Sequence, residues 1–238
     1  YKDALIPCLK RGAWRKHSEL IRGSRMVELE DGPGTERDLE AVRSVHSDVC
    51  ISVGIPLNGG AALRALELTR SGVDTLHFYA DDHGNERGAE NPRFLKETIT
   101  EIHNRLVDDL VRQQVNLLFS GGIAMAEHMA KAIICGADGV TVDYPLLIAL
   151  ECRLCRRCVQ GLSCPVEMDR VEPEWGRQRI LNLMGAWRNQ LIEVMGAMGM
   201  REVRRMRGET GRSMSFQDLE RENFGPLFGE RKVPGLGI

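Results

Sequence analysis

Val49-Cys50-Ile51-Ser52-Val53-Gly54-Ile55 is apolar nearly throughout. Such a run suits a strand of a parallel sheet covered on both faces, because a half-solvated antiparallel strand alternates with polar residues. After it, Gly59-Gly60 opens a helical pattern with Leu63, Leu66 and Leu68 that stops at Ser71-Gly72. Asp74-Thr75-Leu76-His77-Phe78-Tyr79-Ala80 reads as the next strand.

The same unit repeats on either side. Upstream, Met26-Val27-Glu28-Leu29-Glu30 reads as a short strand, Asp31-Gly32-Pro33-Gly34 as a turn, and Thr35 as the cap of a helix running to about Val45. Before that, residues 1–25 form an irregular or helical lead-in with one apolar stretch, Ala4 to Leu9. Downstream come a polar loop from Asp81 to Pro92, a helix from about Arg93 to Gln113, and a strand from Val115 to Phe119 ending at Ser120-Gly121-Gly122. A helix carrying Glu127, His128 and Lys131 follows, then a strand from Gly139 to Asp143. Strand–helix alternation with short links predicts a parallel α/β domain, either doubly wound or a (β/α)8 barrel. Five strands do not close a barrel, and the pattern leaves both architectures open.

The composition is that of an ordinary globular protein. A net charge of -2 over 238 residues gives no general reason to expect nucleic acid or an anionic membrane as partner. No apolar run reaches the roughly 18–20 residues needed to span a bilayer, and no signal or transit pattern opens the chain. The chain begins at Tyr1 rather than Met, as a piece of something longer would.

Four of the seven cysteines lie in thirteen residues: Cys152, Cys155, Cys158 and Cys164, the last followed by Pro165. Two-residue spacers let a loop curl so that successive thiolates point inward, and the proline stiffens the exit, which is what an iron–sulfur cluster such as [4Fe–4S] needs. Arg153, Arg156 and Arg157 would offset its negative charge. A four-cysteine zinc site is the competitor, although zinc sites more often use two separated pairs. Disulfides fit poorly with an odd cysteine count, and the thiols point to a reducing cytoplasm. Beyond the loop, Glu174 to about Gly199 is an amphipathic helix, Arg201 to Arg207 is basic and helical, and Gly208 to Ile238 reads as an extended tail.

Several stretches together resemble the FMN-binding domain of glutamate synthase and its stand-alone relatives. They are Ser120-Gly121-Gly122-Ile123, Ala132-Ile133-Ile134-Cys135-Gly136-Ala137-Asp138, Leu147-Ile148-Ala149-Leu150 and the cysteine loop ending in Cys164-Pro165-Val166. The resemblance implies a partial or completed (β/α)8 TIM barrel holding its last five β/α units. Residues 1–150 would be barrel, 151–170 the iron–sulfur loop, and 171–238 a helical extension and tail. It implies FMN at the C-terminal mouth, with its phosphate at the loops after the last two strands, so that Ser120, Gly121, Gly122 and Tyr144 become cofactor-binding candidates. It also implies a cluster that exchanges electrons with the flavin. If the family's use of three ligands holds, that cluster is [3Fe–4S] with Cys155 spare. The first three strands would lie on another chain or in a missing N-terminal half.

Three departures stand out. Gly54 takes the place of a flavin-facing lysine, Asp81-Asp82-His83-Gly84-Asn85 replaces a His-Asp-Gly-Gly-Thr-Gly loop, and Asp143-Tyr144-Pro145 replaces a glycine-led phosphate turn. A carboxylate beside a phosphate is repulsive. Gly121-Gly122 is either an anion cradle or only a tight turn. His77, Asp81 and His83 form either a metal or acid–base group, or a polar loop beside a core-facing histidine. Two functions follow. One is a glutamate synthase-like iron–sulfur flavoprotein oxidoreductase acting on a small molecule. The other is an electron-transfer or scaffold subunit, partnered by other redox subunits, that has lost the flavin site.

Overall fold

The computed structural model describes residues 4–212. Six strands form one sheet in strict chain order: β1 (Cys8–Leu9), β2 (Met26–Glu30), β3 (Cys50–Pro56), β4 (Thr75–Tyr79), β5 (Asn116–Ser120) and β6 (Gly139–Val140). Every neighbouring pair is parallel. This order separates the two architectures left open by the sequence. A doubly wound sheet reverses its strand order at a switch point, whereas a β/α barrel lays each strand beside its predecessor. The described residues hold six consecutive strands of a (β/α)8 barrel, with β1 and β6 ending the sheet.

Between and after the strands run α1 (Ser18–Arg22), α2 (Thr35–Val45), α3 (Ala61–Arg70), α4 (Leu95–Asp108), α5 (Ala126–Cys135), α6 (Tyr144–Ala149) and α7 (Pro173–Ala197). The lead-in hides β1, whose two residues follow Pro7 and are too short for any periodicity; the Glu28 N–H donates to the Pro7 carbonyl at 2.9 Å. Thr35 is the first residue of α2 and not its cap. Gly34 holds the capping position at φ 91°, and the Thr35 hydroxyl accepts from the Gly32 N–H instead. β6 stops at Val140 because the chain turns at Asp143, whose carboxylate caps α6. α7 starts with Glu172 accepting from the Trp175 N–H and ends as expected at Gly199, which adopts φ 68° while Met200 N–H reaches back to Met195. The basic stretch beyond it forms only a short 3-10 turn, Val203–Met206.

The strands are more two-sided than their apolar look suggests. Val27, Leu29, Ile51, Val53, Ile55, Leu76, Phe78, Leu117 and Phe119 are buried toward the helices, with Phe78 and Phe119 stacked at 5.1 Å. The intervening positions Glu28, Ser52, Gly54, His77 and Tyr79 meet each other on the opposite, barrel-interior face. A second apolar cluster joins α5 to the C-terminal region through Ile133, Ile134, Met195, Met200 and Met206. The cysteine loop and α7 belong to the same compact unit as the sheet. Beyond residue 212 the expected tail lies outside the described residues. Among those residues no helix is long and apolar enough to cross a membrane.

Candidate functional site

The C-terminal ends of the strands, where barrel chemistry gathers, carry β4's loop, the Ser120-Gly121-Gly122 turn, α6 and the cysteine loop that follows it. Cys152, Cys155, Cys158 and Cys164 are all free thiols; Cys155 and Cys158 are exposed and the other two half-buried. The loop turns through left-handed backbone at Leu154, Arg156 and Gly161, and a 3-10 turn spans Arg157–Gln160. Leu154 N–H donates to the Cys152 sulfur at 3.4 Å. Arg157 Nε closes the loop onto the Ser163 carbonyl at 3.2 Å. Four soft donors at this spacing suit an iron–sulfur cluster or zinc. The loop holds them open: among the described residues, no three His, Cys, Asp or Glu side chains converge as a metal ion requires.

Arg156 does not stay among the cysteines. Its guanidinium pairs with Asp82 in the loop after β4 and donates to the Tyr144 hydroxyl at 3.0 Å. Tyr144 and Arg156 together hold the Asp82 carboxyl below its usual range. Asp81 turns inward on its own loop, accepting from the His83 and Asn85 N–H groups at 2.9 and 2.8 Å, while His83 is exposed. The structure therefore does not gather His77, Asp81 and His83 into one group.

His77 belongs instead to a buried belt across the barrel interior. Its Nδ1 lies 2.8 Å from Glu28 Oε2, which also accepts from Ser52 Oγ at 3.0 Å; Glu28 Oε1 accepts from the Tyr79 hydroxyl. An ionised carboxylate can only accept, so Nδ1 carries the proton and Nε2 faces the Thr141 hydroxyl at 3.3 Å. Burial pushes the Glu28 carboxyl up, but the bonds from His77, Tyr79 and Ser52 outweigh it and leave the group below its ordinary value. Burial and the Glu28 charge push the Tyr79 phenol up. Glycine at 54 is what allows the belt: a Cβ there would sit 2.7 Å from the Tyr79 ring and 3.3 Å from Glu28. Sequence reasoning missed Glu28 and Tyr79. The usable signal was the alternation Val27-Glu28-Leu29-Glu30 in β2, and a tyrosine two residues beyond His77.

For FMN, the residues present do not form the expected cradle. Gly121 and Gly122 adopt φ 91° and 68°, but added Cβ atoms would lie 2.4 Å from the Asp81 carbonyl and 2.6 Å from the Gly84 backbone. The pair lets the β4 loop pack against the β5 turn. His128 Nδ1 takes the Ala124 N–H at 3.1 Å, and the Ser120 hydroxyl donates to Phe78. Asp143 accepts the Tyr144 N–H at 2.6 Å, so this backbone donor is taken by the chain's own carboxylate, and the Tyr144 hydroxyl is engaged with Arg156. Among the described residues, the side chains nearest a Cβ at Gly54 are Tyr79 and Glu28, neither of them a cation.

The ordered parallel strands and the cysteine loop at their mouth define a protein of the β/α-barrel class with a thiol-rich appendage. In structure it is similar to a flavocytochrome b2 variant with sulfite bound, at TM-score 0.60 and 14% identity over 97% of this chain and 61% of that one, a likeness of fold alone. In sequence, residues 31–201 match the conserved region in glutamate synthase, and the chain belongs to that family. It is 29% identical to the archaeal glutamate synthase (NADPH) of Methanocaldococcus jannaschii over 72% of its length, and 29% identical to that of Archaeoglobus fulgidus over 74%. It spans about a third of the length of these relatives, covering 33% and 37% of them.

Proposed function

We propose that this chain is the iron–sulfur part of an oxidoreductase of the glutamate synthase kind. Cys152, Cys155, Cys158 and Cys164 hold the cluster at the barrel mouth, with Cys155 the spare thiol if only three ligate. When bound, the cluster supplies one-electron transfer. The observation that carries this reading is the set of four free thiols in thirteen residues, directly after α6, with one sulfur already accepting a backbone N–H. The protein's own residues position the loop: Leu154 N–H meets the Cys152 sulfur, Arg157 closes onto Ser163, and Arg156 reaches the mouth. Full glutamate synthase activity, with FMN at the mouth, a small-molecule substrate and the remaining strands on further polypeptide, is the wider form of the proposal.

The second reading is an electron-transfer or scaffold part without a flavin. Three observations favour it: Asp143 caps its own helix, the Gly121-Gly122 turn is packed by Gly84, and Tyr79 covers Gly54. Anaerobic purification with assay of iron, acid-labile sulfide and released FMN tests both readings. Iron and sulfide with stoichiometric FMN support the wider form, iron and sulfide alone support the second reading, and zinc without sulfide sinks both.

A further inference from the structure

A segment that departs from the resembled pattern meets the cysteine loop in this structure. Asp82 lies in the replaced loop after β4. Arg156 lies between Cys155 and Cys158, 74 positions away in sequence. Left-handed backbone at Arg156, φ 57°, is strained for a side chain with a Cβ, and here it accompanies a guanidinium that leaves the thiols for the mouth. There it pairs with Asp82 and meets the Tyr144 hydroxyl at 3.0 Å. Tyr144 stands at the start of α6, so one arginine joins three separate segments: the β4 loop, α6 and the cysteine loop.

We propose that Arg156, Asp82 and Tyr144 are positioning residues: a latch that seats the cysteine loop on the barrel mouth and sets the charge beside its cluster. The charge part rests on the reading that the cysteines hold an iron–sulfur cluster; the seating part does not. A reduced cluster is one charge more negative than an oxidised one. A nearby cation therefore favours the reduced form, and a nearby carboxylate the oxidised form. Arg156 and Asp82 offset each other, so removing either one unbalances the pair in a known direction.

The test uses the anaerobically reconstituted chain and three surface variants. Redox titration of the cluster should show a raised potential in Asp82→Asn, a lowered potential in Arg156→Gln, and little change in Tyr144→Phe. Thermolysin, which cuts ahead of apolar residues such as Leu154 and Leu162, should cleave the loop about two- to five-fold faster in all three variants, the range expected for losing an exposed ion pair. A tether with no electrostatic role would move both charge variants the same way or not at all, and either result overturns the charge part. Unchanged cleavage in all three overturns the seating. If the unaltered chain takes up no cluster, the functional reading fails while the cleavage comparison still decides the latch.

Discussion

The two ends of the sheet are tied by the same kind of contact in opposite surroundings. At the N-terminal ends of the strands, Arg112 is 3% exposed and lies 2.7 Å from Asp138, while also donating to the carbonyls of Val115 and Gly136. Arg207, from beyond α7, pairs with the same Asp138. At the mouth, Arg156 is 65% exposed and Asp82 48%. Both clusters join segments far apart in the chain. The buried one cannot be opened without stranding charge, whereas the exposed one can let go at little cost. Barrels keep stability at the first end and chemistry at the second, and this division is visible here in one pair of arginines.

The sharpest way to break the comparison is Asp138→Ala. It leaves Arg112 and Arg207 facing each other without their carboxylate, and removal of one member of a buried pair costs about 3–5 kcal/mol. Urea denaturation should show the loss; a cost no larger than that of Asp82→Asn would erase the distinction between the two ends. Next comes Glu28→Gln in the interior belt, expected to cost about 2 kcal/mol through weakened bonds to His77, Tyr79 and Ser52. The folded Glu28 carboxyl lies below its ordinary 4.5, so its contribution is complete above that pH and is lost as pH falls through the folded value. The variant should lack that acid slope.

A smaller effect, confined to a pH window, belongs to His103. Its ring packs against Gly136 and Gly208, where a Cβ would come within 2.4 and 2.6 Å, and Arg112 Nε lies 3.1 Å from Nδ1. Burial, with Arg112 and Arg207 nearby, holds its pKa below 6.5. The unfolded chain therefore binds the proton more readily, and stability present above pH 6.5 declines as pH falls through the folded value. Denaturation midpoints across that window should fall in the native chain and stay flatter in His103→Gln.

Much of the fold was legible because strands and helices repeat with clear period, and the glycine at 199 ends α7 where the pattern said it would. What escaped was of two kinds. β1 is two residues long and sits behind a proline, so it carries no pattern at all. β3 reads as an apolar run because Cys50, Ser52 and Gly54 are small, yet they lie on the inner face and Ile51, Val53 and Ile55 on the outer; residue size disguised the alternation. The cysteine loop showed in the sequence as four closely spaced thiols, and the structure has all four free. The place of the arginine within it did not show, since Arg156 is paired through space with Asp82, and a one-dimensional reading left it beside the thiols as a counter-charge. Of the two readings left open for the loop after β4, the structure has the polar loop: Asp81, Asp82 and His83 are neighbours in sequence but point into three different environments.

The smallest expected effect on stability separates the two ends most cleanly. Added salt should loosen the mouth and leave the opposite end alone. At about 1 M salt the screening length is roughly 3 Å, so an exposed pair such as Arg156–Asp82 loses most of its attraction. A pair closed off from ions, as Arg112–Asp138 is at 3% and 17% exposure, keeps its own. Raising salt should therefore bring loop cleavage in the unaltered chain up to the rate of Asp82→Asn, with no further gain in that variant. Over the same range, hydrogen exchange at Leu117 N–H, which donates to Asp138 at 2.8 Å, should stay unchanged. Because the mouth pair is exposed, the urea midpoint should not register its loss, and Asp82→Asn should unfold with the native chain. Equal salt sensitivity at Leu117 and in the cysteine loop would mean that burial does not distinguish the two clusters, and that the mouth is held by apolar packing of α6 rather than by its charges.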